Sequence, residues 1–252
     1  MHFIDAGTGI PLVLLHAYPL DSRMWDGVRP RLAKRARVIT PDLRGFGRTP
    51  LPPGDEPSVD VLADDVVALL DELALDRVVL GGCSMGGYVA MAVLRKAAER
   101  VDRLVLADTR ADADDFDRRA GRLANATRAQ EEGIEWLPDT LLPGLFASGT
   151  PDRRTELAEL VRAMILAQPA DGVAWALRAM AERPDSQDVL RAFDRSALVL
   201  VGERDALTPP EVVRQLAGLL PAADLVEVPG AGHLTPMEAP DEVAAAIVAW
   251  LG

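Results

Sequence analysis

The stretch Leu80-Gly81-Gly82-Cys83-Ser84-Met85-Gly86-Gly87-Tyr88 constrains this chain more than any other. The apolar run Arg77-Val78-Val79-Leu80 leads into it and reads as a short buried strand. Tyr88-Val89-Ala90-Met91-Ala92-Val93-Leu94-Arg95 leads out and reads as a helix. Between them lies Gly82-x-Ser84-x-Gly86. A strand that turns directly into a helix forces the serine into a strained backbone conformation. Its flanking glycines are needed because side chains there would strike the neighbouring strand and helix. The hydroxyl is then held proud of the sheet edge, with a helix N-terminus behind it that favours developing negative charge.

The rest of the chain supplies the sheet this turn needs. Phe3–Ala6, Pro11–Leu15, Arg37–Thr40, Val101–Ala107, Ala197–Val201 and Asp224–Val228 are short β-branched or apolar runs. Pro11–Leu15 is continuously apolar, as in a strand covered on both faces. Helices are predicted from Ser22 to about Ala33, Ser58 to Leu73, Pro210 to Leu219 and Asp241 to Leu251. In the second of these, Val59, Leu62, Val66, Leu69, Leu70 and Leu73 share one face. The last is expected to bury Val243, Ile247, Trp250 and Leu251. This alternation predicts an α/β fold with a mostly parallel sheet covered by helices on both faces. Between Ala111 and Arg191 the sequence is charged and alanine-rich, with helical spacing and no strand. The expected organisation is a core of residues 1–110 and 192–252, with 111–191 inserted as a helical cap, or lid.

Composition narrows the function classes. With 252 residues, 49% of them hydrophobic, the chain can bury a large core without metals or disulfides. Its single cysteine, Cys83, permits no internal disulfide. The N-terminal residues lack a basic and apolar leader, and no run reaches the roughly 18–20 apolar residues of a membrane span. A cytoplasmic location is therefore expected. The net charge of −12 argues against a nucleic-acid partner and gives no sign of membrane binding.

A serine hydroxyl is a poor nucleophile unless a base, itself oriented by a carboxylate, takes its proton. There are only three histidines, so the base can be sought exhaustively. His2 sits at the terminus, where order is not expected. His16 ends a strand, and His233 lies in Pro229-Gly230-Ala231-Gly232-His233, between the last strand and the last helix. Loops at the carboxyl end of a parallel sheet are where catalytic groups gather, so His233 is the expected base. Asp205, in the turn Gly202-Glu203-Arg204-Asp205, is the expected acid, and Asp108, one strand earlier, is the alternative. Oxyanion stabilisation needs two backbone N–H donors: Met85, directly after the serine, and Tyr18, from the loop after the second strand. Ala17 is the alternative to Tyr18. Cys83 precedes the apex of the turn and is expected to be a small buried side chain. Arg44 is expected to form a structural ion pair, with Asp42 as the partner considered. His16, Trp25, Trp136 and Trp175 are candidate substrate-pocket residues, with Phe146, Met164 and Met180 as further possibilities in the lid.

These pieces resemble the α/β-hydrolase superfamily, in particular its small esterase, lactonase and haloperoxidase-like members. His16-Ala17-Tyr18-Pro19 resembles the His-Gly-x-Pro oxyanion loop, with Ala17 replacing the usual glycine. Asp42-Leu43-Arg44-Gly45-Phe46-Gly47-Arg48-Thr49 resembles the D-x-R-G-x-G-x-S segment. The elbow, Gly-x-x-Asp and Gly-x-Gly-His pieces follow in order, and the chain begins where the superfamily's second strand would fall. The resemblance implies a serine hydrolase that acts on a carboxylic ester of a small molecule, with no cofactor or metal. Haloalkane dehalogenases and epoxide hydrolases of this fold carry Asp where Ser84 stands, which points this chain to acyl transfer. A lactonase similar to the 3-oxoadipate enol-lactonases, a cofactor-free perhydrolase and a ligand-binding receptor on the same fold are the alternatives. Oligomeric state is not legible.

Overall fold

The structure, a computed structural model, describes residues 1–252. Its centre is one seven-stranded sheet: β1 (Phe3–Ala6), β2 (Ile10–Leu15), β3 (Ala36–Pro41), β4 (Val78–Cys83), β5 (Val101–Ala107), β6 (Ala197–Gly202) and β7 (Ala223–Val228). Their spatial order is β1-β3-β2-β4-β5-β6-β7. β1 pairs antiparallel with β3, and every other pairing is parallel. The apolar runs explain the order. β4 is buried at every position and lies centrally, whereas β7, half exposed and carrying Asp224 and Glu227, forms an edge.

The helices before the serine turn are α1 (Arg29–Leu32) and α2 (Val59–Glu72); α3 (Met85–Ala97) follows it directly. Ser58 caps α2 by accepting from the Asp60 N–H at 3.1 Å, and Val59, Leu62, Val66, Leu69 and Leu70 are buried as the periodicity predicts. α3 lies between α2 and strands β2, β4 and β5, which is why it is apolar nearly all round. Six helices join β5 to β6: α4 (Phe116–Glu132), α5 (Leu137–Leu145), α6 (Thr150–Arg153), α7 (Thr155–Leu166), α8 (Ala170–Ala181) and α9 (Gln187–Ala192). No strand interrupts them. Buried residues of α5, α7 and α8 join the 76-residue hydrophobic cluster of the sheet, so this segment shares the core. The chain closes with α10 (Pro210–Ala217), α11 (Thr235–Glu238) and α12 (Pro240–Leu251).

Three expectations need correction. The helix predicted from Ser22 to Ala33 is instead a 3-10 turn, Ser22–Trp25, followed by the short α1. Pro30 has no N–H to offer the Asp26 carbonyl, so a continuous helix would lack a rung there. Trp250 is half buried rather than buried, with its indole N–H donating to Ser196 Oγ at 3.0 Å. His2 is ordered, because its Nδ1 lies 2.8 Å from Asp42 Oδ2.

Candidate active site

Ser84 sits in the turn between β4 and α3 with φ of +52°, a region that non-glycine residues rarely occupy. Two hydrogen bonds hold it there. Its N–H donates to the Ala107 carbonyl at 2.9 Å, tying the turn to β5, and its carbonyl accepts from Thr109 Oγ1 at 2.8 Å. A Cβ on Gly82 would overlap the backbone of Gly86, and one on Gly86 would overlap the Leu15 carbonyl. The two glycines therefore let strand, turn and helix pack at backbone distance. Ser84 is also the N-cap residue of α3, so the helix dipole faces its hydroxyl.

His233 reaches Ser84 from the loop after β7. Its Nε2 lies 2.8 Å from Ser84 Oγ, and its Nδ1 lies 2.8 Å from Asp205 Oδ2. Asp205 follows β6 and is itself fixed: Oδ1 accepts from the Leu207 N–H at 2.8 Å and the Thr208 N–H at 2.9 Å. Thr208 Oγ1 lies 2.5 Å from Asp205 Oδ2 and 3.2 Å from His233 Nδ1. The three residues proposed from the sequence are thus brought into one hydrogen-bonded row. Burial alone would raise the Asp205 carboxyl, but the facing His233 charge, the His233 hydrogen bond and the Thr208 donors together hold it below the usual range. Burial also opposes the His233 imidazolium; Asp205, with a further contribution from Asp108, outweighs it and raises the His233 pKa. An ionised Asp205 places the imidazole proton on Nδ1, which leaves the Nε2 lone pair for the Ser84 hydroxyl.

The backbone N–H groups of Tyr18 and Met85, the two donors expected from the sequence, make no hydrogen bond within the protein. The alternative donor, Ala17, is already engaged, because its N–H points at Met24 Sδ at 3.1 Å.

Several buried groups brace the row, through contacts between residues far apart in the sequence. Glu238 accepts from Gly232 N–H at 2.6 Å and from Ala147 N–H at 3.1 Å, locking the His233 loop to the helical segment. Asp108, at φ of +48°, accepts from the Gly202 N–H at 3.0 Å and from Thr235 Oγ1 at 2.5 Å. It therefore joins the acid-bearing and histidine-bearing loops rather than facing His233 Nδ1. Burial first, and then the neighbouring Asp205 charge, push its carboxyl up to about 7. Cys83 is buried, with Sγ 3.8 Å from Asp108 Oδ2, and burial pushes its thiol well above the ordinary value. Thr208 had a local signal, a threonine three residues after Asp205, the spacing of a side-chain-closed turn.

The remaining candidates are placed as follows. His16 is fully buried, its Nε2 accepting from the Leu43 N–H at 2.9 Å and its Nδ1 lying 3.0 Å from the Ala17 carbonyl. Trp25 is buried, Trp136 lies under the Arg128 guanidinium at 4.1 Å, and Trp175 donates to the Asp55 carbonyl at 3.1 Å. Arg44 does form a structural ion pair, but with Asp65 and Asp55 rather than Asp42. Asp42 is occupied by the Ser22 and Arg48 N–H groups and by His2. A surface cavity of about 380 Å³ lies away from this row, between α3 and α9, around Leu94 and Phe193. No group of three or more His, Cys, Asp or Glu side chains is arranged to hold a metal. No helix is long and apolar enough to cross a membrane.

Residues 10–240 match the alpha/beta hydrolase fold family, and the chain belongs to that family. Among solved structures, it is similar to a malate-bound thermophilic esterase from Thermogutta terrifontis. The two share 44% identity and a TM-score of 0.96, over 99% of this chain and 92% of the other. It is also similar to the enol-lactonase from Burkholderia xenovorans, at 27% identity and a TM-score of 0.91, over 99% of this chain and 95% of that one. Among curated proteins, haloalkane dehalogenase 2 of Mycobacterium tuberculosis is 28% identical over 271 aligned positions, covering 100% of this chain and 91% of its own length.

Proposed function

We propose that this protein is a serine hydrolase that cleaves a carboxylic ester of a small molecule through an acyl-enzyme. The observation that carries this reading is the row Ser84 Oγ–His233 Nε2–His233 Nδ1–Asp205 Oδ2, with both hydrogen bonds at 2.8 Å. Ser84 attacks the acyl carbon while His233 takes the hydroxyl proton at Nε2. Asp205 steadies the imidazolium, and the Tyr18 and Met85 amides receive the oxyanion. His233 then returns its proton to the leaving alkoxide. Water, deprotonated by His233, attacks the acyl-enzyme, and the acid departs as Ser84 is regenerated. No step calls for a metal or cofactor. In this reading residues 111–191 form the lid over the site, and the substrate enters between lid and core.

The likeness to a dehalogenase does not carry over as activity. Dehalogenases of this fold need a carboxylate nucleophile to form an alkyl ester, and the position here is Ser84. A lactone is the second substrate class, supported by the likeness to an enol-lactonase. The same attack opens a cyclic ester, with the leaving alkoxide retained on the acyl chain.

The test is hydrolysis of p-nitrophenyl esters from acetate to decanoate by wild type and Ser84→Ala. The expected result is turnover by wild type that falls at least ~10³-fold in the variant, with the fold unchanged. Near-full activity in Ser84→Ala would overturn the assignment. A folded wild type that binds but turns over neither these esters nor a lactone panel would point to a receptor.

A further inference from the structure

The two residues that flank His233 are both tied to one corner of the helical segment, the stretch Gly144–Ala147 where α5 ends. After the histidine, the Leu234 N–H donates to the Leu145 carbonyl at 3.1 Å. Before it, Glu238 bridges Gly232 to the corner: Oε2 accepts from the Gly232 N–H at 2.6 Å and Oε1 from the Ala147 N–H at 3.1 Å. A Cβ on Gly232 would overlap the backbone of Phe146 and Ala147, so a glycine is needed for the loop to reach the corner. The acid side meets the same corner. A Cβ on Gly144 would stand 3.1 Å from Leu207 Cδ2, and the Leu207 N–H is one of those that hold Asp205 Oδ1. Arg154, just past α6, adds a further tie, its Nη1 donating to the Glu238 carbonyl at 2.5 Å.

The core holds this loop less closely to the imidazole. Apart from a weak contact of Cys83 Sγ with the His233 carbonyl at 3.9 Å, its anchors lie two residues from the histidine. The Ala231 carbonyl accepts from the Arg204 N–H at 2.9 Å, and Thr235 Oγ1 lies 2.5 Å from Asp108 Oδ2. The helical segment instead grips the loop at Gly232 and Leu234, directly on either side. Glu238 is the side chain that makes this grip. It is buried, and its carboxylate is met by two backbone N–H groups rather than by a cation. Burying a carboxylate without a counter-ion is costly, and the cost is offset where its oxygens satisfy buried donors that would otherwise be orphaned. One of those donors belongs to the base loop and the other to the helical segment, so a single side chain couples the two.

We propose that Glu238 is a positioning residue that makes the His233 base depend on the helical segment: hydrolysis requires the Gly144–Ala147 corner to be seated on the His233 loop and slows when the corner lifts. This rests on the serine-hydrolase reading, and the experiment separates the two. The first readout is kcat for p-nitrophenyl acetate per active site, the sites being counted by exhaustive labelling with an activated alkyl phosphonate. A loss of folded protein lowers the count and leaves the rate per site unmoved, whereas a misplaced base lowers the rate itself. Displacement of a catalytic group by about 1 Å costs on the order of 10²-fold, so Glu238→Ala is expected to lower kcat per site ~10-fold or more. The second readout is amide hydrogen exchange followed residue by residue by NMR. Exchange in Glu238→Ala should quicken at Gly232 and Ala147, and also at Leu234, whose N–H Glu238 does not bind. The amides of β4 report any change in global stability.

A smaller fall in the rate per site would overturn the proposal and leave the hydrolase reading standing. So would faster exchange confined to Gly232 and Ala147, or matched by an equal change in β4. Absence of Ser84-dependent turnover in wild type would remove the hydrolase reading. In that case exchange alone decides the coupling: faster exchange at Leu234 against an unchanged β4 supports it, and an unchanged Leu234 overturns it. If Glu238→Ala does not fold, Glu238→Gln, which keeps one acceptor oxygen at the same reach, carries both readouts, with a fall of ~3-fold or more expected.

Discussion

His233 is held between opposing demands: burial disfavours its charged form, and Asp205 beside it favours that form more strongly. The raised pKa has a direct consequence for rate. Only the neutral imidazole can accept the Ser84 proton, so activity should fall as pH drops through a value above the 6.5 of an unperturbed histidine. Asp205→Asn removes the charge that raises it, and the amide also disturbs the Nδ1 proton. The expected outcome is a rate lower by about 10²–10⁴-fold, with the remaining acid limb moved to lower pH. A pH profile of kcat/KM for both proteins checks this, and an unmoved limb would assign the titration to another group. Asp108 is the natural comparison, because it also contributes to the His233 shift but does not touch the ring. Its removal should move the limb less.

Among the elements, the joint between α8 and the loop after β3 controls how the helical segment sits. Gly172 of α8 packs against Gly45, whose φ is +80°, and a Cβ on Gly172 would overlap the Gly45 carbonyl. One turn on, Trp175 donates to Asp55 in the proline-rich loop. Gly172→Ala should therefore push α8 outward and weaken the Trp175 bond, although alanine is the better helix former. The measurement is amide hydrogen exchange over residues 170–181, where faster exchange is expected. Unchanged protection would mean that the Gly45 loop yields instead.

This joint also marks where the sequence stops being readable. Strands, the serine turn, His233 and Asp205 were legible because each announces itself locally, through an apolar run, a glycine pair or a position at a strand's end. The braces were not. Asp108 meets Thr235 across 127 positions, and Glu238 meets Ala147 across 91. Arg44 illustrates the same limit, since Asp42 is close in sequence while its actual partners lie farther along, at Asp55 and Asp65.

At the scale of the molecule, buried acids divide its pH response into two windows. Asp21, Asp42 and Asp205 are buried and Asp112 is partly exposed; desolvation pushes each up, yet hydrogen bonds and charged partners hold all four below the ordinary 3.8. The stability they contribute is present above 3.8 and is lost as pH falls through their folded values. Asp108 has the opposite sign. With a folded value of about 7 against 3.8 unfolded, its contribution is full below 3.8 and is lost as pH rises toward 7. Asp108→Asn is permanently neutral, so its melting temperature relative to wild type should rise between pH 4 and pH 7. A difference independent of pH would show that Asp108 folds in its charged form without penalty.

The measurement that bears most directly on the account is covalent capture of the nucleophile. Wild type and Ser84→Ala would each be treated with an activated alkyl phosphonate ester, digested, and mapped by mass spectrometry. The phosphonate mimics the tetrahedral intermediate, and its reaction needs the serine, the base and the oxyanion donors acting together. One equivalent of adduct on Ser84, absent in the variant and formed more slowly in Asp205→Asn, is the predicted result. Ester turnover without an adduct on Ser84, or an adduct on another residue that tracks the lost activity, would contradict it.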